Sequence, residues 1–105
     1  MSDYTTVAQV GEIPEGRGAA FEVAGRMIAV FNDAGQYYAI DDCCPHMGAS
    51  LAEGILEQGV VACPWHAWRF RVCDGTWCDN RRIKIGSFDV RVQGGEIQVR
   101  VPEEP

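Results

Sequence analysis

The sequence predicts an all-β protein, a scaffold of antiparallel hairpins with a loop-built site inserted between them. Three observations lead there. No long amphipathic helical pattern runs through the 105 residues. Short apolar runs, some with period-2 alternation, are punctuated by turn residues, with 12 Gly and 5 Pro in all. From about residue 41 to 80 that pattern gives way to a crowd of Cys, Pro, His, Trp and Gly.

In chain order, residues 19–23 form a first strand candidate. Met27-Ile28-Ala29-Val30-Phe31 is a better one, and Gln36-Tyr37-Tyr38-Ala39-Ile40 is its return strand. Asn32-Asp33-Ala34-Gly35 reads as the turn between them. Short β pieces follow at 55–57, 60–62 and 68–72. The clearest hairpin comes last. Phe88, Val90 and Val92 alternate with polar residues, Gly94-Gly95 turns the chain, and Ile97, Val99 and Val101 resume the alternation. Pro102 and an acidic tail end the pattern.

This length suits one domain, here residues 1–105, with the site region at about 41–80. Hydrophobic residues at 47% allow a core, but a small one that a bound metal would help hold together. The formal charge is −6, and Lys84 is the only lysine. That balance argues against nucleic-acid binding, which depends on neutralising phosphates, and against an anionic membrane surface. No basic, apolar leader opens the chain, and no run approaches the roughly 20 apolar residues of a membrane span. A soluble cytoplasmic protein is expected. Five cysteines are odd in number and carry no export signal, so metal binding or catalysis is a better reading than a disulfide framework.

The two histidines of the chain, His46 and His66, each follow a cysteine closely. Cys44-Pro45-His46 and Cys63-Pro64-Trp65-His66 give the pattern C-x-H-x16-C-x2-H. Each half supplies one thiolate and one imidazole, ligands that suit iron and zinc. A strand pair between the halves, Ile55 to Ala62, would bring the two loops together. Gly48, Gly54 and Gly59 would allow the turns, and Pro45 and Pro64 would stiffen the loops. Two rival readings stand beside an iron centre. Cys2His2 is also a zinc set, which would make the chain a zinc-stabilised binding module without redox chemistry, although zinc ligands usually stand two to four residues apart. A Cys63–His66 nucleophile lacks an orienting third group and a substrate pocket.

These residues resemble the Rieske iron–sulfur proteins, in particular the small Rieske-type ferredoxins. Cys44-Pro45-His46-Met47-Gly48-Ala49-Ser50-Leu51, followed by Glu53-Gly54, is similar to the family's first cluster loop. Cys63-Pro64-Trp65-His66-Ala67-Trp68-Arg69-Phe70 is similar to the second. The resemblance implies an antiparallel β-sandwich scaffold with an inserted two-loop subdomain that binds one [2Fe–2S] cluster. Carried over, Cys44 and Cys63 hold the inner iron, and His46 and His66 the outer one. It further implies an electron carrier rather than an enzyme, working between a reductase and a terminal oxygenase. A second role is the small subunit of an NAD(P)H-dependent nitrite reductase. The His46 and His66 edges would be the electron exit.

The sequence departs from the high-potential members of that family. Their two loops share a disulfide, and the matching positions here are Ala49 and Trp65. Their Ser and Tyr hydroxyls donate to cluster sulfurs, and here Trp68 and Phe70 stand at those positions. Losing both donors predicts a potential in the low part of the Rieske range, about −150 to +300 mV.

Cys43 is read as a bystander thiol, and Cys73 and Cys78 as free structural thiols that flank a turn. Met47 and Trp65 either form an apolar collar around the ligand histidines or pack beneath the loops. Arg81, Arg82 and Lys84 read as a solvated face. Asp41 and Asp42 either steer a basic redox partner or serve solubility.

Overall fold

Tight turns set the architecture. Ala24-Gly25, Ala34-Gly35, Gln58-Gly59 and Gly94-Gly95 all have positive φ at both central residues. That is the signature of type I′ turns, whose twist matches two flanking antiparallel strands. In each case the strands pair right up to the turn, as in Val23↔Arg26 and Asp33↔Gln36.

A computed structural model describes residues 4–43, 49–64 and 68–101. It contains eleven strands: β1 (Tyr4–Gln9), β2 (Arg17–Val23), β3 (Arg26–Asp33), β4 (Gln36–Asp41), β5 (Ile55–Glu57), β6 (Val60–Ala62), β7 (Arg69–Arg71), β8 (Thr76–Trp77), β9 (Asn80–Lys84), β10 (Ser87–Gln93) and β11 (Glu96–Arg100). They form a six-stranded sheet, ordered β1-β11-β10-β4-β3-β2, and a five-stranded sheet, ordered β5-β6-β7-β8-β9. Every described pairing is antiparallel. The all-β expectation holds. Among the described residues, no helix is long and apolar enough to cross a membrane.

Strand β3 lies between two cores. Ile28 and Val30 join Ile97, Val99, Ala39 and Val23 on one side. Ala29 and Phe31 join Leu56, Val61, Phe70 and Leu51 on the other. A strand buried on both faces reads as a continuous apolar run, which is why 28–31 shows no alternation; Met27, at the start of the strand, is exposed. Fully burying one such side chain contributes about 1.5–3 kcal/mol. The second core joins the two sheets and holds the site region in place.

Three expectations need correction. The turn after β3 uses only Ala34 and Gly35, because Asn32 and Asp33 still pair with Tyr37 and Gln36. Asn32 is buried, donating from Nδ2 to the Ile13 carbonyl (2.8 Å) and accepting from the Gly35 N–H (2.8 Å). Val92 is 51% exposed despite its alternating position, because β10 meets β4 only at Ser87 and Phe88, leaving the far end of the strand uncovered. Strands β1, β8 and β9 went unpredicted: β1 is half-exposed with a register shift between Thr6 and Ala8, and β9 is exposed throughout.

Candidate metal centre

Two chain segments carry the predicted ligands, and each is closed at its base by backbone contacts. The first is pinched by an antiparallel bridge between Cys43 and Ser50. Beside it, the Leu51 N–H donates to the Asp42 carbonyl at 2.7 Å. The second is closed where the Cys63 N–H donates to the Trp68 carbonyl, again at 2.7 Å. The residues between these closures include Cys44, His46 and His66, which lie outside the described residues, as do Met47 and Trp65.

Asp41 and Asp42 anchor the first segment, which corrects the expectation that they shape the surface field. Asp42 is buried, and its Oδ1 accepts from the Ser50 hydroxyl (2.8 Å) and the Ala52 N–H (3.0 Å). Its carboxylate therefore holds the start of the 3-10 turn at Leu51–Glu53 against the end of β4. Asp41 receives a two-pronged contact from Arg26 at 3.1 and 3.2 Å and the Gly86 N–H at 2.7 Å. Arg26 also lies over the Phe88 ring, 5.1 Å from its centroid. Partners this close leave neither acid free to steer an incoming protein.

The hairpin of β5 and β6 joins the two segments, as the spacing predicts. Gln58 and Gly59 make its turn. Gly54 does something else. Its φ is −77°, which any residue adopts, but a β-carbon there would stand 2.0 Å from the Ala62 carbonyl oxygen. Gly54 is needed for close approach: it lets the exit of the first segment touch the entrance of the second.

Cys63 is only 2% exposed and lies in the core shared by the two sheets, among Leu56, Val61, Phe70 and Val72. Below it, Trp68 stacks on Trp77, with ring centroids 4.0 Å apart and planes inclined by 14°. Phe70 is buried beside this pair, 6.4 Å from Trp68. The Trp77 Nε1 is buried with no hydrogen-bond partner among the described residues. Trp77 reaches the stack because an Asp74 turn returns the chain. The Asp74 carboxylate accepts from the Thr76 N–H (3.0 Å) and hydroxyl (2.7 Å), and those bonds, the backbone one foremost, hold its pKa below the ordinary value of 3.8. Sequence reasoning singled out Gly54 for a turn and for the first loop, and Asp42 for the surface charge, but not the contacts they make, and it gave Trp77 no role. Those roles lie in contacts made across the fold.

Among the described residues Cys73 and Cys78 form no disulfide, as expected. Cys73 and Cys78 border one shallow groove with Tyr38 and Arg71.

Residues 3–89 match the family described as Rieske [2Fe-2S] domain. The chain belongs to that family. The ferredoxin subunit of the 3-phenylpropionate/cinnamic acid dioxygenase of Escherichia coli strain K12 is 38% identical over 96 residues, 90% of each chain. Among solved structures, the ferredoxin of carbazole 1,9a-dioxygenase from Nocardioides aromaticivorans IC177 superposes with a TM-score of 0.86 at 32% identity, covering 93% of this chain and 97% of that one. A Mycobacterium tuberculosis protein described as the small subunit of an NADH-dependent nitrite reductase superposes at 0.89 with 27% identity, covering 99% of both. Membership of a family described by its [2Fe-2S] cluster supports an iron–sulfur cluster over zinc.

Proposed function

We propose that this chain is a one-electron carrier, holding one [2Fe–2S] cluster and passing electrons from a reductase to a terminal oxygenase. Cys44 and Cys63 serve as the thiolate ligands, His46 and His66 as the imidazole ligands. Residues 1–105 act as one Rieske domain, with the cluster-binding part spanning about 41–80, and the protein works in the cytoplasm without catalysing a reaction of its own.

The observation that carries this reading is Cys63. A thiol 2% exposed in an apolar core, at the closed base of a Cys-Pro-Trp-His segment, suits a sulfur that holds a soft cation away from water. The donor set fits the group: two thiolates and two imidazoles, contributed by two adjacent segments. When bound, the cluster supplies a one-electron couple whose potential is raised by neutral imidazoles replacing two thiolates. The protein's own residues do the rest. Asp42 and the Cys43–Ser50 bridge fix the first segment, and the Cys63–Trp68 bond fixes the second. Leu56, Val61 and Phe70 exclude water from the inner side. Oxygenase ferredoxins at 38% and 32% identity support the choice of terminal partner.

A nitrite reductase small subunit is the second reading, favoured by the TM-score of 0.89 to the Mycobacterium tuberculosis protein. Co-purification of the tagged chain with an oxygenase α subunit, or with a nitrite reductase large subunit, separates the two. The cluster itself is tested by anaerobic purification. A brown protein that bleaches with dithionite and gives a low average g-value in electron paramagnetic resonance is expected. A colourless, zinc-loaded protein would overturn the reading.

A further inference from the structure

The acidic chain carries a cationic face beside its ligand segments. Between residues 69 and 84 there are five bases, Arg69, Arg71, Arg81, Arg82 and Lys84, against the two acids Asp74 and Asp79. The rest of the chain holds four bases against thirteen acids. The strand register places part of this charge on one surface. Ala62 stands opposite Ile55 and Arg69, and Val60 opposite Glu57 and Arg71, so these side chains share the outer face of the second sheet. Leu56, Val61 and Phe70 point the other way, into the core.

That outer face is apolar and open at its centre. Ile55 is 69% exposed, and Val60 and Ala62 are half-buried along shallow grooves that Arg69, Arg71 and Arg81 border. Arg69 has only a long, exposed contact to Asp79 at 3.9 Å, and Arg71 and Arg81 form no ion pair among the described residues. Two acids stand against these arginines here: Glu57 in the register rows of this face, and Asp33 at the border of the groove that Arg71 and Arg81 line. The position matters as much as the charge. Ala62 precedes Cys63, and Arg69 follows Trp68, so the face begins where the second ligand segment closes.

We propose that this face, Ile55, Val60 and Ala62 framed by Arg69, Arg71 and Arg81, is the docking surface for a carboxylate-rich patch on an electron-transfer partner. The inference rests on the electron-carrier reading. Guanidinium groups pair bidentately with carboxylates and tolerate partial desolvation, so an apolar centre with an arginine frame suits an interface. The negative remainder of the molecule repels the same partner from every other side. That selects an orientation with the ligand segments facing the partner.

Two hexacyanometallate trianions serve as probes. Hexacyanochromate(III), which is redox-inert and paramagnetic, should broaden the amide signals of Val60, Arg71 and Arg81 before those of Arg17 and Arg91. Broadening without that preference would overturn the proposal. Stopped-flow oxidation of the dithionite-reduced protein by hexacyanoferrate(III) gives a second readout. One electron leaves the protein for each hexacyanoferrate(III) reduced to hexacyanoferrate(II). The net charge alone predicts a rate that rises with salt. The proposal predicts a rate falling about tenfold between about 10 and 200 mM ionic strength. Arg71→Glu with Arg81→Glu should reverse that slope, and Arg17→Glu with Arg91→Glu should leave it in place. A rising slope in the unaltered protein defeats the proposal. Visible bands, recorded first for each protein, keep loss of the cluster distinct from loss of docking. A protein that sediments as a dimer, and as a monomer once Arg71→Glu and Arg81→Glu are introduced, would assign the face to a second copy and also overturn the proposal.

Discussion

Gly54 and Ala62 touch through their backbones: a β-carbon on Gly54 would lie 2.0 Å from the Ala62 carbonyl oxygen. One residue ends the run that follows the first ligand segment, and the other leads into Cys63. The distance between the two segments therefore depends on a missing side chain.

Gly54→Ala should push them apart. The clash is with backbone, which a rotamer change cannot relieve, so a loss of about 1–3 kcal/mol is expected. Thermal unfolding and the iron content of the purified variant should fall together. Unchanged values for both would show that the contact does not matter.

Asp42 should be more sensitive than its exposed neighbours suggest. Asp42→Ala leaves the buried Ala52 N–H without its acceptor and should cost about 2–3 kcal/mol. Ser50→Ala removes a single donor to the same oxygen and should cost about 1 kcal/mol. Urea titrations of the two variants give the comparison, and an equal effect would argue against the carboxylate as the anchor.

Three turn residues offer the opposite test. Ala24, Ala34 and Gln58 hold positive φ with a β-carbon in place. Ala34→Asn, with a side chain that accepts this conformation, should stabilise by about 0.5–1 kcal/mol. A lowered melting temperature would mean that the strain is not there.

Asp74 links pH to the turn that carries Trp77. Its pKa is depressed in the fold by bonds from the Thr76 N–H and hydroxyl. A depressed acid contributes stability above its unfolded value, near 3.8, and loses that contribution as pH falls through the lower folded value. The stability gap between the protein and Asp74→Asn should accordingly be small, because the half-buried carboxylate still meets water, present at pH 6, and shrinking below pH about 4. A gap that widens in acid has the wrong sign.

The ligand assignment predicts potentials. Phe70, in place of a tyrosine, is fully buried and has no hydroxyl to offer, which favours a midpoint in the low part of the range of about −150 to +300 mV. His66→Cys adds a negative ligand and should lower it further. Protein-film voltammetry measures both, and a midpoint near the top of the range, or one unmoved by His66→Cys, would refute the respective step.

Much of this was legible in the residue order. Period-2 alternation and X-Gly turns announce hairpins because both are local: each strand's side chains and each turn's φ are set within a few residues. The C-x-H and C-x2-H pairs are also local, and their rarity carries the family resemblance. What stayed hidden was non-local. The edge strand β1 pairs with β11, some ninety residues away, through half-exposed positions that no pattern marks.

The chain order alone thus established the β class, the hairpin ladder and the ligand-bearing pairs, since those follow from short-range sterics and ligand chemistry. Tertiary structure decided the roles of Asp42, Gly54, Trp77 and the arginines of the second sheet. An aspartate becomes an anchor, a glycine a point of contact, and a set of arginines a face only when distant strands meet. Burial, close approach and summed charge are properties of that meeting.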